Sequence, residues 1–199
     1  MAEKMIQQND RKAFFAYITD PVSRKLIEAI GKLMGKTLFD DISMTDILKV
    51  SGISRSTFYR KYRDKYDLLN QNYQILLDET LMQIHKGRSY KDSFYALYYA
   101  LQSYPAFFKN ALSSNERDGL KSYIFTNAYQ IFDELMRKQG LDMDSQYNKM
   151  LLIGYICGSL EVTCIWAQNG MKETVDQIFR ISFELMPYEI RSRLAMAYM

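Results

Sequence analysis

Apolar side chains along the chain recur at three- and four-residue spacing far more often than they alternate, and this pattern predicts helices. Val22, Leu26, Ile30, Leu33 and Met34 line one face of a first segment. Asp20-Pro21 reads as its start, with Asp as cap and Pro at the first position, where a missing N–H costs nothing. Gly35 reads as a left-handed stop, and Leu38, Phe39 and Ile42 anchor the connection that follows. Ser43 and Asp46 have capping-box spacing and open a short helix, Met44–Ser51, expected to bury Ile47 and Val50. Gly52 breaks it, and Ser54 opens the next helix three residues after Ser51. Ile53 and Phe58 stand on either side of that cap as a hydrophobic staple. Two short helices joined by a glycine-containing turn of three or four residues make a helix-turn-helix.

Beyond Asp64 the periodicity predicts long helices over Tyr66–Lys86, Ser89–Ser103, Pro105–Leu112, Glu116–Gln139, Ser145–Asn169 and Met171–Met186. Three prolines, nine glycines and few alternating β-branched runs complete an all-α reading. The expected organisation is an N-terminal leader and three-helix head over residues 1–69, then a larger helical body over residues 70–199. With no flexible linker in view, one helix near Tyr66 should join them as coupled rigid parts. The first twenty residues show no clear period. Arg11 and Lys12 suggest a basic arm, while Phe14, Phe15 and Tyr17 suggest packing.

Charge sharpens this picture. The net +3 conceals +4 over residues 1–70 and −1 over the remainder, and Lys49–Lys65 carries six basic residues against one acid, Asp64. Such concentration points to a polyanion. The single histidine, His85, has no metal-ligand cluster around it, and no catalytic constellation is in view, so no metal, cofactor or enzyme activity is expected. Cys157 and Cys164, about 10 Å apart on one helix, are too far for a disulfide and read as buried core thiols. No secretory pattern opens the chain, and Glu161 interrupts the most apolar run, Met150–Leu160, short of a membrane span. A cytoplasmic protein without membrane contact is expected.

On the third helix Phe58 and Tyr62 face inward with Ile53, while Arg55, Ser56, Tyr59 and Arg60 face outward as donors for base edges and phosphates. Arg55 is placed to pair with guanine O6 and N7. Lys65 opens the next helix, where an ammonium and free N–H groups suit a phosphate. The run from Ser51 to Leu69, with Gly52-Ile53, Thr57-Phe58-Tyr59, Tyr62 and Lys65 before Leu68-Leu69, resembles the signature of the TetR/AcrR (tetracycline-repressor) family of transcriptional regulators. The likeness reaches back through Thr45-Asp46-Ile47 and Phe39 to Pro21. It implies base reading by Thr45, Arg55 and Ser56, and phosphate contacts from Thr57, Tyr59 and Lys65. Arg60 and Lys61 belong to the same interface. Tyr62 departs from the Phe or Val of many members, and its hydroxyl needs a partner.

Past residue 70 the resemblance rests on helix count and on Gly158, Trp166 and Gly170-Met171. It implies a homodimer on a near-palindromic DNA operator, joined through the last two long helices. Gly154 and Gly158 give close approach there, or serve packing within the protomer; Ile165, Trp166 and Phe179 supply bulk. Twelve of the 43 residues in Tyr90–Phe132 are aromatic, against 14% in the whole chain. Seven are tyrosines, more hydroxyls than a dry core satisfies easily. Tyr95, Tyr99 and Tyr129 are therefore candidates to line a site for a small hydrophobic or aromatic effector. The alternative is a partner protein docking on the body, with no small ligand.

Overall fold

The computed structural model describes residues 12–198, with side chains as far as 194. Arg11 lies outside the described residues. Among them there are eleven α-helices and no strand, so the protein is all-α. The order is α1 (Phe14–Tyr17), α2 (Pro21–Met34), α3 (Met44–Ser51), α4 (Arg55–Tyr59), α5 (Lys65–Glu79), α6 (Tyr90–Gln102), α7 (Pro105–Ala111), α8 (Leu120–Lys138), α9 (Gln146–Gln168), α10 (Val175–Glu184) and α11 (Tyr188–Tyr198).

In the head, α2 starts where the caps predict, with Asp20 accepting the Ser23 N–H at 2.7 Å. Leu26, Ile27, Ile30 and Met34 are buried. Gly35 is not a left-handed stop: its φ is −65°, and the N–H groups of Lys36 and Thr37 both turn back to the Leu33 carbonyl. Ser43 caps α3 through Asp46, and Gly52, at φ +69°, supplies the left-handed residue of the turn. The buried stripe of α3 runs through Met44, Ile47 and Leu48. Val50 falls past its edge and Leu38 projects from the connection, so both are exposed. Phe58, wholly buried, holds α4 against α2 and α5 through one common core; burying such a ring contributes about 2–3 kcal/mol.

The body departs from its predicted boundaries where tertiary contacts reshape helix ends. α5 stops at Glu79; Thr80 leaves helical geometry, and a 3-10 segment, Leu81–Lys86, follows. α8 begins at Leu120, four residues late, because Ser114–Gly119 forms a tight loop. A side chain at Gly119 would lie 2.9 Å from the Glu116 carbonyl oxygen. α10 begins at Val175 behind a Thr174–Gln177 capping box. The residues before it turn sharply, Gly170 and Met171 both at positive φ, with Met171 N–H bonded to Trp166 O. α11 was not predicted, although Ile190 and Leu194, four apart, are its buried stripe.

α9 is long and apolar enough to cross a bilayer by length and composition, with mean hydropathy 1.7 over its window. Glu161 therefore does not break the run as expected. Its packing reads as a core helix: 44% of that window is buried against neighbours. Cys164 on α9 is buried as expected, but Cys157 is exposed, and both are free thiols.

Head and body are joined by more than α5. Phe14 packs on Phe107 and Phe108 of the body, its N–H donating to Ser103 Oγ. Asn110 on α7 holds the α2–α3 connection, donating to Met34 O and Thr37 O and accepting the Phe39 N–H, at 2.8–3.0 Å. Ser114 and Tyr66 both donate to the Asp40 carboxylate.

Candidate nucleic-acid interface

α4 is only five residues long, so caps and side-chain bonds rather than its own length must fix it. Ser54 Oγ accepts the Thr57 N–H at 3.1 Å and also bonds the hydroxyls of Ser56 and Thr57. Below, Phe58 stacks edge-on against Tyr59 and tilts against Tyr62. The upper face carries Arg55, Ser56, Tyr59 and Arg60, all exposed. The Arg55 guanidinium lies 6.0 Å from the Tyr59 ring centroid, a cation–π contact that steadies it without consuming its N–H donors. Thr45, exposed on α3, completes the set. Two guanidiniums without an acidic partner among the described residues, on a rigid convex turn, form a donor-rich surface.

The remaining two predicted cations behave differently. Lys61 pairs with Asp20 at 2.8 Å and donates to Ser23 Oγ at 2.7 Å. Burial alone would lower its pKa, but the Asp20 bond and the neighbouring Tyr62 phenol hold it above the ordinary value. The Lys61 hydrogen bond, then those from Ser23, push the Asp20 carboxyl well below its ordinary range. Ser23 Oγ also meets Tyr62 OH at 2.6 Å, and Asn72 Nδ2 approaches that phenol at 3.4 Å. The hydroxyl that distinguishes Tyr62 is thus satisfied inside the head.

Lys65 points inward. Its ammonium donates to the carbonyls of Phe39, Asp40 and Ile42, which uses all three of its protons. Burial lowers its pKa, against the raising influence of Asp40 and Asp41. The expected phosphate contact is corrected to an internal clamp, because the α2–α3 connection turns these carbonyls toward the ammonium.

In the body the tyrosines are divided otherwise than predicted. A cavity of about 70 Å³ lies among α5, α6, α8 and α9. Its tyrosines are Tyr73, Tyr90, Tyr98 and Tyr155. Tyr95, Tyr99 and Tyr129 do not line it. Tyr95 is buried on the other flank of α6, where its hydroxyl donates to Asp176, and Tyr99 follows one turn later on that flank, edge-on to it. Tyr129 is half-buried on α8. No sequence signal separated these groups. Tyr73 and Tyr155 sit in apolar stripes, and which flank of α6 meets the cavity depends on α9.

The candidate interface residues of α9 and α10 also divide. Trp166 is 2% exposed, its indole N–H donating to Glu173 O, and Phe179 packs within the protomer edge-on against Phe94 and tilted against Tyr95. Both belong to the core, not to an outer contact. A Cβ at Gly158 would lie 3.7 Å from Leu185, the residue that ends α10. Gly154 faces open space, and with Tyr147, Met150, Ile153, Ile165, Ile181 and Leu185 it leaves an exposed apolar face.

A family model described as the C-terminal region of TetR-type transcriptional regulators matches residues 88–188, just over half of the chain. No curated protein matches significantly.

Proposed function

The chain belongs to the TetR family of transcriptional regulators, and from that premise we propose that it is a homodimeric, sequence-specific DNA-binding repressor released by a small, mainly apolar effector. The observation that carries this reading is the outward face of α4, where Arg55 and Arg60 stand free beside Ser56 and Tyr59. Arg55 pairs with a guanine, Thr45 and Ser56 reach neighbouring base edges, and Thr57 and Tyr59 hold phosphates. Two copies join through the apolar face of α9 and α10 and set their α4 helices about 34 Å apart, one DNA turn. The role places the protein in the cytoplasm.

Release follows from the junction. An effector larger than the cavity must push α5 and α8 apart. α5 carries Lys65, which grips the α2–α3 connection, and Asn110 grips that connection from α7. Displacement of the body therefore moves the head as a unit, and two heads moved apart no longer match successive grooves. A cavity bordered by tyrosines favours this sensor reading over control by a docked partner protein.

The test is selection of DNA fragments by the purified protein, then titration of the selected site at several salt concentrations. Arg55→Ala is expected to weaken the selected site about tenfold to a hundredfold and to relax one position per half-site. Equal affinity in Arg55→Ala and Arg60→Ala would remove α4 from the interface.

A further inference from the structure

The cavity's chemistry narrows what enters it, an inference that rests on reading the body as the effector-binding part. No Asp, Glu, Lys, Arg or His stands among the lining side chains, so an ionic ligand would lose its hydration with no countercharge to replace it. The wall is apolar except for four phenols and the hydroxyls of Ser159 and Thr163.

Most of those hydroxyls are engaged. Tyr90 and Tyr155 share a hydrogen bond of 2.9 Å, and Tyr98 meets Thr163 at 2.7 Å. Thr163 in turn bonds the Ser159 carbonyl. Tyr73 differs. It is 1% exposed, and its hydroxyl makes no hydrogen bond with any described residue, burial being the main influence on it. The hydroxyl is not fully enclosed: it borders the cavity as a free donor and acceptor. Tyr73 also stands on α5, two turns beyond Lys65.

We propose that the effector is an uncharged, mainly apolar molecule bearing one hydroxyl or carbonyl group, and that Tyr73 hydrogen-bonds this group. The cavity of about 70 Å³ is roughly half the ~150 Å³ that admits benzene in an apolar core. A six-carbon ligand therefore enters only as the surrounding helices yield, and its polar end then acts on the helix that leads to the head.

Calorimetric titration of the full chain at neutral pH with hexan-1-ol, hexanoate, hexylammonium and benzene separates charge, polarity and size. Hexan-1-ol is expected to bind, with both ions at least about tenfold weaker. Tyr73→Phe is expected to weaken hexan-1-ol about threefold to tenfold and to leave benzene unchanged. It should melt no lower than the parent, since it removes an unpaired hydroxyl. Leu97→Trp, which fills the cavity, should abolish binding of hexan-1-ol and benzene. An ion that binds as tightly as the alcohol overturns the inference, as do a Tyr73→Phe variant with unchanged alcohol affinity and the absence of any binding. Fragment retention by the same preparation keeps the two readings apart. DNA bound without alcohol binding defeats only this inference; alcohol bound as expected without any retained DNA defeats only the regulatory role.

Discussion

In the head, Ser23 is 1% exposed and its hydroxyl has three partners, Asp20, Lys61 and Tyr62. In the body, Tyr73 is also 1% exposed, and its hydroxyl bonds no described residue. The contrast extends to the surroundings. Lys61 and Lys65 clamp the head's connections, Asp20, Ser43 and Ser54 cap its helices, and Arg55 and Arg60 stay free on the outer face of α4. The body holds a cavity bordered by a phenol that bonds no described residue, and it carries an apolar face that no described residue covers. The head's network leaves Asn72 Oδ1 without a partner but ties its other members closely, and such networks favour one arrangement. A void and an unpaired donor leave room for another arrangement to be stabilised by a ligand. The head is built to present donors in fixed positions, and the body is built to be shifted.

The contrast breaks most sharply at the head's centre. Phe58→Ala should cost about 3–5 kcal/mol, and a denaturant titration measures it. A cost below about 1 kcal/mol would mean that the head is as yielding as the body. Lys65→Ala should come next, at about 2–3 kcal/mol, because three carbonyls lose a charged donor together. The same titration checks it, with Arg55→Ala expected within about 0.5 kcal/mol of the parent. If Lys65→Ala were neutral in stability and lowered the salt dependence of DNA binding instead, its phosphate role would be restored.

The uncovered face sharpens the other side of the comparison. A Cβ at Gly154 would meet nothing within 4 Å, so Gly154→Leu should keep the fold while helix-to-helix approach between copies is lost, at about 1–3 kcal/mol of overpacking. Sedimentation equilibrium reads the change from dimer to monomer, and a variant that stays dimeric places the contact elsewhere. Asp20→Asn is the smallest test. It keeps a capping side chain and removes the ion pair to Lys61, a partly exposed pair worth about 0.5–1 kcal/mol. The carboxyl's folded pKa lies below its ordinary 3.8, so its contribution is complete above that value and is lost as pH falls toward the folded pKa. Thermal melts of parent and variant should differ at neutral pH and converge as the solution is acidified below about pH 4. A gap independent of pH would show that the cap, not the charge, matters.

The sequence by itself determined whatever is local. Asp20, Ser43 and Ser54 cap the helices they announce, and Gly52 turns left-handed as its place between two short helices requires, because caps and turns act within four residues. The inward set Phe58 and Tyr62 and the outward set Arg55, Ser56, Tyr59 and Arg60 likewise follow from helical spacing alone. Only the tertiary structure decided which of two similar residues would be free. Lys65 has the same charge as Arg55, but the carbonyls that occupy it come from residues 23 to 26 positions away. Tyr98 and Tyr99 are adjacent in sequence, and only the packing of α9 on one flank of α6 puts the first at the cavity. Trp166 and Ile165 are also neighbours, one in the core and one on the open face. Spacing gives each side chain a direction, but what stands in that direction belongs to another helix.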